Sequence, residues 1–135
     1  MGRRFGGKPL LVDTNWIVDA LHGSEDAASA LMDLAAGGLA ISIVTYGELY
    51  ERAFYARDAS ALSGLMSFLE GVEVLPLTIR IVELFATVRG SLSRNVRQQI
   101  GDFDLLTAAT ALVHSCTLLT YNRKDFDLIT GVLLY

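Results

Sequence analysis

The sequence predicts an α/β domain with a mainly parallel central sheet covered by helices on both faces. Short apolar runs of strand length alternate along the chain with longer segments whose apolar residues recur at helical spacing. Strands separated by helices pair in parallel and need a layer on each face. The chain has 135 residues, is 52% hydrophobic and contains only 2 prolines, which suits one compact domain with a single core.

Residues 1–8 read as a flexible leader and residues 9–135 as the domain. Leu10-Leu11-Val12 is a buried-strand run ending at Asp13, and it is too short for a signal peptide or a membrane span. Asn15 to Leu21 starts a helix that stops near Gly23. Ser24 is the next N-cap, with Glu25 and Asp26 in the first turn, for a helix to about Ala36 that Gly37-Gly38 ends. Leu39 to Val44 reads as the second strand, Thr45 to Arg57 as a helix, Ala59 to Glu70 as another, and Val72 to Leu75 as the third strand. Behind the cap Thr78, residues Ile81, Leu84, Phe85, Val88 and Leu92 keep helical spacing. Arg94 to Gly101 reads as a polar connection, Phe103 to His114 as a helix, Thr117 to Thr120 as the fourth strand, and Val132 to Leu134 as a last apolar run.

A formal charge of −4 argues against a protein that simply coats nucleic acid, because such proteins rely on Lys and Arg to neutralise phosphates. It leaves room for an enzyme acting on nucleic acid, since carboxylates holding a divalent cation reverse the local charge. The lone cysteine, Cys116, excludes an internal disulfide and reads as a packed small hydrophobe. The cytoplasm is the natural compartment, with no role for a membrane.

In parallel sheets the ligand crevice lies at the carboxyl ends of the strands. Asp13 follows the first strand, Glu48 lies early in the helix after the second, Asp104 starts the late helix, and Asn122 and Asp125 follow the fourth strand. All can meet at one end of the sheet, where such oxygen donors suit Mg²⁺ or Mn²⁺. Each also has a plainer role. Thr45 to Glu48 fits a capping box, Asp13-Thr14-Asn15 fits a turn that caps the next helix, and Asp125 and Asp127 fit a solvated loop. His22 and His114 close helices, and Trp16 and Phe103 read as core or rim packing. Asp102 and Asp104 stand two residues apart, about 200° around a helix, so they have different jobs. Asp102 is expected to cap the late helix and Asp104 to face the site.

The combination of LLVDTNWIV (10–18), TYGELYERA (45–53), IGDFDLLTAATAL (100–112) and LLTYNRKDF (118–126) resembles the PIN-domain ribonucleases, and among them the VapC-type toxins of toxin-antitoxin pairs. The resemblance runs from Leu10 onward. It implies a compact α/β/α sandwich with a metal-dependent endoribonuclease site using Mg²⁺ or Mn²⁺. Asp13, Glu48 and Asp104 match the acidic ligands, and Asn122 or Asp125 the fourth corner. Thr14 and Thr120 match hydroxyl positions lining the site, with Asn15 beside them, and Asp102 matches a frequent residue of the toxin pattern. Asn122, in place of a frequent Asp, puts a second metal in doubt. The resemblance also implies an RNA substrate, a VapB-like antitoxin and a homodimer. An apolar groove for that antitoxin is sought among Tyr46, Tyr50, Phe54 and Tyr55, whose spacing equally fits a core.

Two rivals differ in class. A phosphohydrolase wants Asp-x-Asp after strand one, and a phospho-accepting receiver wants an acidic pair there plus a late Lys. Residues 11–15, LVDTN, offer neither. A PIN fold without chemistry, acting as a binding module through a protein or RNA partner, is the other.

Overall fold

A computed structural model describes residues 10–35 and 37–135, so the expected leader lies outside the described residues. Strand β1 (Leu10–Val12) leads into helix α1 (Thr14–Leu21) and α2 (Glu25–Ala35). Strand β2 (Leu39–Ser42) is followed by α3 (Ile43–Tyr55) and α4 (Ala59–Leu69), and β3 (Val72–Leu75) by α5 (Ile79–Ser91), α6 (Arg94–Gln99) and α7 (Asp102–Val113). Strand β4 (Thr117–Leu119), the one-turn α8 (Arg123–Phe126) and β5 (Leu133–Leu134) complete the chain.

The five strands form one sheet in the order β3-β2-β1-β4-β5, and every pairing is parallel. Side chains alternate across a strand, so β1 feeds both faces. Leu10 and Val12 pack with Ile17, Leu31, Leu49 and Leu65 of α1 to α4, whereas Leu11 packs with Ile100, Leu105, Ala108 and Phe126 on the α5 to α8 side. The result is the expected three-layer α/β/α sandwich. Cys116 is buried in the second of these cores. None of the described helices is long and apolar enough to cross a membrane.

The caps explain where the helices start. The Ala27 amide donates to Ser24 Oγ at 3.2 Å and the Ile81 amide to Thr78 Oγ1 at 3.2 Å, as the sequence leads one to expect. Gly38, with φ +92°, takes a backbone conformation that L side chains rarely adopt and turns the chain into β2.

Four expectations need correction. The second strand closes at Ser42, two residues early, because the Thr45 amide donates to Ser42 Oγ at 3.1 Å and starts α3 at Ile43. Its helix accordingly ends at Tyr55, and Arg57 lies beyond it at φ +53°. Arg94 to Gly101 is mostly helix, capped by Ser93, which accepts from the Val96 amide, while Val96 packs on the core. The segment holding Asp125 is the helix α8, held down by the fully buried Phe126.

Candidate active site

Strand order reverses direction beside β1: the chain proceeds from β1 to β2 and β3 on one side, then returns to β4 on the other. The carboxyl ends of β1 and β4 therefore open on a crevice, as at the switch point of any open α/β sheet. An open cavity of about 530 Å³ lies there. Asp13 comes to it from the end of β1, Thr14 and Asn15 from the start of α1, Glu48 from α3, Asp104 from the first turn of α7, and Asn122 from the segment after β4.

Each acid is held by neighbours of its own. Asp13 is 6% exposed; its Oδ1 accepts from the Thr14 amide at 2.9 Å and its Oδ2 from Thr120 Oγ1 at 2.8 Å. Glu48 Oε1 accepts from Thr14 Oγ1 at 2.7 Å. That contact excludes the capping-box reading, because the Thr45 amide is already committed to Ser42 and Glu48 stands in the second turn of the helix. Beneath Glu48, the fully buried hydroxyls of Ser42 and Thr45 lie 3.3 Å apart, and Ser42 Oγ is 3.1 Å from Thr107 Oγ1 on α7. This buried hydroxyl chain ties α3 to α7 and so fixes Glu48 relative to Asp104. Asp104 Oδ2 accepts from Asn122 Nδ2 at 3.2 Å, and the same amide donates to Asp125 Oδ2 at 2.9 Å.

Burial pushes the Asp104 carboxyl up to about 6, and the negative charge of Asp13 adds to the rise, against the hydrogen bond from Asn122 that opposes it. Glu48 and Asp125 contribute in the same upward direction. Four carboxylates therefore share one electrostatic neighbourhood, although they come from distant parts of the chain.

The other expected residues divide. Asn15 lines the cavity, Thr120 stands behind Asp13, and Asp125 stands behind Asn122, where its Oδ1 accepts from Gln99 Nε2 at 2.6 Å. Asp102 is neither the cap nor part of the pocket. Gly101 is the N-cap and makes no side-chain cap bond, while Asp102 Oδ1 accepts from Arg89 Nε on α5 at 3.0 Å. The two aspartates do face different ways, as their spacing demands, but Asp102 faces a helix partner. Both ends of this ion pair are exposed, so Asp102→Ala is expected to change stability by less than about 1 kcal/mol in urea denaturation. Cleavage is expected to be untouched.

Several cavity residues escaped the sequence reading. Glu51 and Arg52 line it from α3, and their positions three and four residues after Glu48 are the signal that places them on its face. Tyr121 also lines it, and Phe103, expected as packing, is 59% exposed at its edge. His22 and His114 close α1 and α7 and are not among the lining residues.

Among the described residues, no three acidic, histidine or cysteine side chains converge closely enough as they stand to grip one ion. The donor chemistry nevertheless fits a hard divalent cation. The lining donors are carboxylate, hydroxyl and amide oxygens without imidazole or thiol, and Mg²⁺ characteristically takes one or two carboxylates and keeps several waters.

A family model described as the PIN domain matches residues 10–131. The chain belongs to the PIN-domain family. Among PIN-domain relatives, it is 39% identical over 127 residues to the protein named Ribonuclease VapC1 of Rickettsia felis, an alignment covering 91% of this chain and 92% of that one. It is 34% identical to Ribonuclease VapC19 of Mycobacterium tuberculosis, covering 87% of this chain and 92% of the relative. The PIN fold superposes on a structure of VapBC2 from Rickettsia felis bound to a promoter DNA fragment with a TM-score of 0.80, at 26% identity over 94% of this chain and 97% of that one. On DNA-bound VapBC from Salmonella typhimurium the TM-score is 0.82 at 21% identity, covering 95% and 97%, a likeness of fold.

Proposed function

We propose that this PIN-domain protein is a Mg²⁺- or Mn²⁺-dependent endoribonuclease, the toxin of a VapBC-type pair, acting in the cytoplasm. The observation that carries the proposal is the meeting of Asp13, Glu48 and Asp104, from β1, α3 and α7, on one cavity at the switch point of the sheet. The likeness to proteins named ribonucleases over nine-tenths of the chain supports it.

Asp13 and Asp104 would hold the cation, with Glu48 direct or through water. A hard divalent cation supplies a bound water of lowered pKa and charge to offset the phosphate. The chain's own residues prepare that site. Thr120 and the Thr14 amide fix both oxygens of Asp13, Thr14 Oγ1 aims Glu48, and Asn122 holds Asp104 without adding charge. Arg52, the cationic residue among the described ones that line the cavity, is placed to meet a phosphate of the strand. The described lining residues include no Ser, Cys or His, and so no histidine pair to drive attack by the RNA 2′-hydroxyl. Water attack leaves a 5′-phosphate and a 3′-hydroxyl.

A VapB-like antitoxin and a second copy of the chain are the proposed partners. Support comes from solved VapBC complexes of the same fold and from α3, where Tyr46, Tyr50 and Phe54 stack with ring centroids 6.4 Å apart at each step. Tyr46 is half-buried against the core, whereas Tyr50, Phe54 and Tyr55 are exposed, so this aromatic ladder climbs from the core edge to the surface.

Purified protein freed of any partner is expected to cut RNA with Mg²⁺ or Mn²⁺ and to stop on addition of EDTA, with 5′-phosphate ends at the cuts. Cleavage undiminished by thorough chelation would sink the metal mechanism. Failure to cut any RNA with metal supplied would make the protein a binding module.

A further inference from the structure

We propose that Tyr121, braced by Trp16 at the lip of the acidic cavity, is a stacking platform for a base of the bound strand; the inference rests on the ribonuclease reading and assigns a residue to substrate positioning. Tyr121 follows β4 and lines the cavity beside Asn122. Its ring stacks on the Trp16 indole with centroids 4.7 Å apart and planes 17° from parallel. Burial and the neighbouring carboxylate of Asp19, one helical turn from Trp16 on α1, push the Tyr121 hydroxyl up from its ordinary value. The stack on Trp16 is what holds the ring.

A ring held in this way is normally a core ring, yet Tyr121 is 50% exposed. The indole covers one face, and the half-exposed ring still lines the cavity. Immobilising a free aromatic side chain on binding costs rotamer entropy, and a ring already braced avoids most of that cost. Phe103 presents a second exposed ring nearby: it precedes Asp104 as Tyr121 precedes Asn122, and those two neighbours are bonded at 3.2 Å.

The charge balance gives such a platform a purpose. A chain at −4, with several carboxylates and a guanidinium on the cavity wall, gains little affinity by neutralising phosphates. Stacking is the main alternative source of affinity for a single strand, and it tolerates any base because each has a π-face.

The test compares fluorescein-labelled adenosine dodecamer with an abasic ribose-phosphate dodecamer, by anisotropy, without divalent metal so that nothing is cut. Both strands carry the same charge and meet the same repulsion. The wild type is expected to bind the adenosine strand about tenfold or more tighter, with a change in emission from Trp16, the only tryptophan. Tyr121→Leu is expected to lose that preference, and Tyr121→Phe, which keeps the ring, to retain it. In cleavage assays Tyr121→Leu should raise KM with little change in kcat. Equal binding of the two strands by the wild type, or a full preference in Tyr121→Leu, would overturn the proposal. A wild type that prefers the adenosine strand but cuts no RNA would instead remove the ribonuclease reading and leave the platform standing.

Discussion

Asp104→Asn is expected to abolish cleavage while making the metal-free protein more stable at neutral pH. Residues that merely orient metal ligands typically cost about 10–100-fold when removed, so loss of a proposed ligand carboxylate should cost at least ~100-fold. The stability gain follows from the raised carboxyl. Its pKa is about 6 in the fold against 3.8 as the ordinary value, so between those values the folded state binds more protons than the unfolded one. Asp104 therefore favours folding most when protonated. Its contribution falls as pH rises from about 4 through about 6 and stays lost above that. Asn cannot ionise, and its side-chain oxygen still accepts from Asn122, so the variant escapes this loss. Thermal melts of both proteins without metal should coincide below about pH 4, separate as pH rises through about 6 and stay apart above that, with the variant higher. Added Mg²⁺ or Mn²⁺ should then raise the wild type alone, because the cation requires the ionised carboxylate and stabilises the state that binds it. A variant that melts lower than the wild type at pH 7.5 without metal would contradict the crowded-carboxylate account.

The sheet and the acidic end were legible because buried parallel strands write themselves as short apolar runs and the next residue marks the crevice. Asp13 and Asn122 were found by that logic, and Asp104 by heading an alanine-rich helix. What escaped was local geometry that only a distant partner decides. Ser42 and Thr45 are both good cap residues, and the β-branched Ile43-Val44 between them suits a strand; the core beneath Leu49 selects the earlier cap. Asp is a better cap than Gly by type, yet Arg89, 13 residues before Asp102, draws that carboxylate to α5 and leaves the cap to Gly101. Helices α6 and α8 span six and four residues with few apolar positions, too short for a period to show. Phe103 reads as packing and Tyr121 draws no reading, because sequence cannot tell a ring on a lip from one in a core.

Asp13 offers the second large effect, and its neighbours make the stability half of the experiment as informative as the activity half. Asp13→Asn keeps the side-chain oxygen that accepts from the Thr14 amide at the head of α1, and Asn caps a helix about as well as Asp. The new amide nitrogen would face Thr120 Oγ1, which now donates to Asp13 and accepts from the Asn122 amide. A hydroxyl has two lone pairs and a proton free to rotate, so it can take the introduced side-chain amide as a second donor. The fold should survive with its melting temperature unchanged or raised, while cleavage and growth inhibition fall at least ~100-fold because the charge facing the cation is gone. Asp13→Ala should lose the same activity but also about 1 kcal/mol for the missing cap. It would further strip the acceptor from the Thr120 hydroxyl, which is only 4% exposed and so poorly placed to donate to water instead. Equal activity losses with unequal melting temperatures would locate the function of Asp13 in its charge. If Asp13→Asn instead lowered the metal-free melting temperature by several degrees and left cleavage standing, Asp13 would be a strand-to-helix fastening, and the ligand set would have to be sought in Glu48, Glu51 and Asp104.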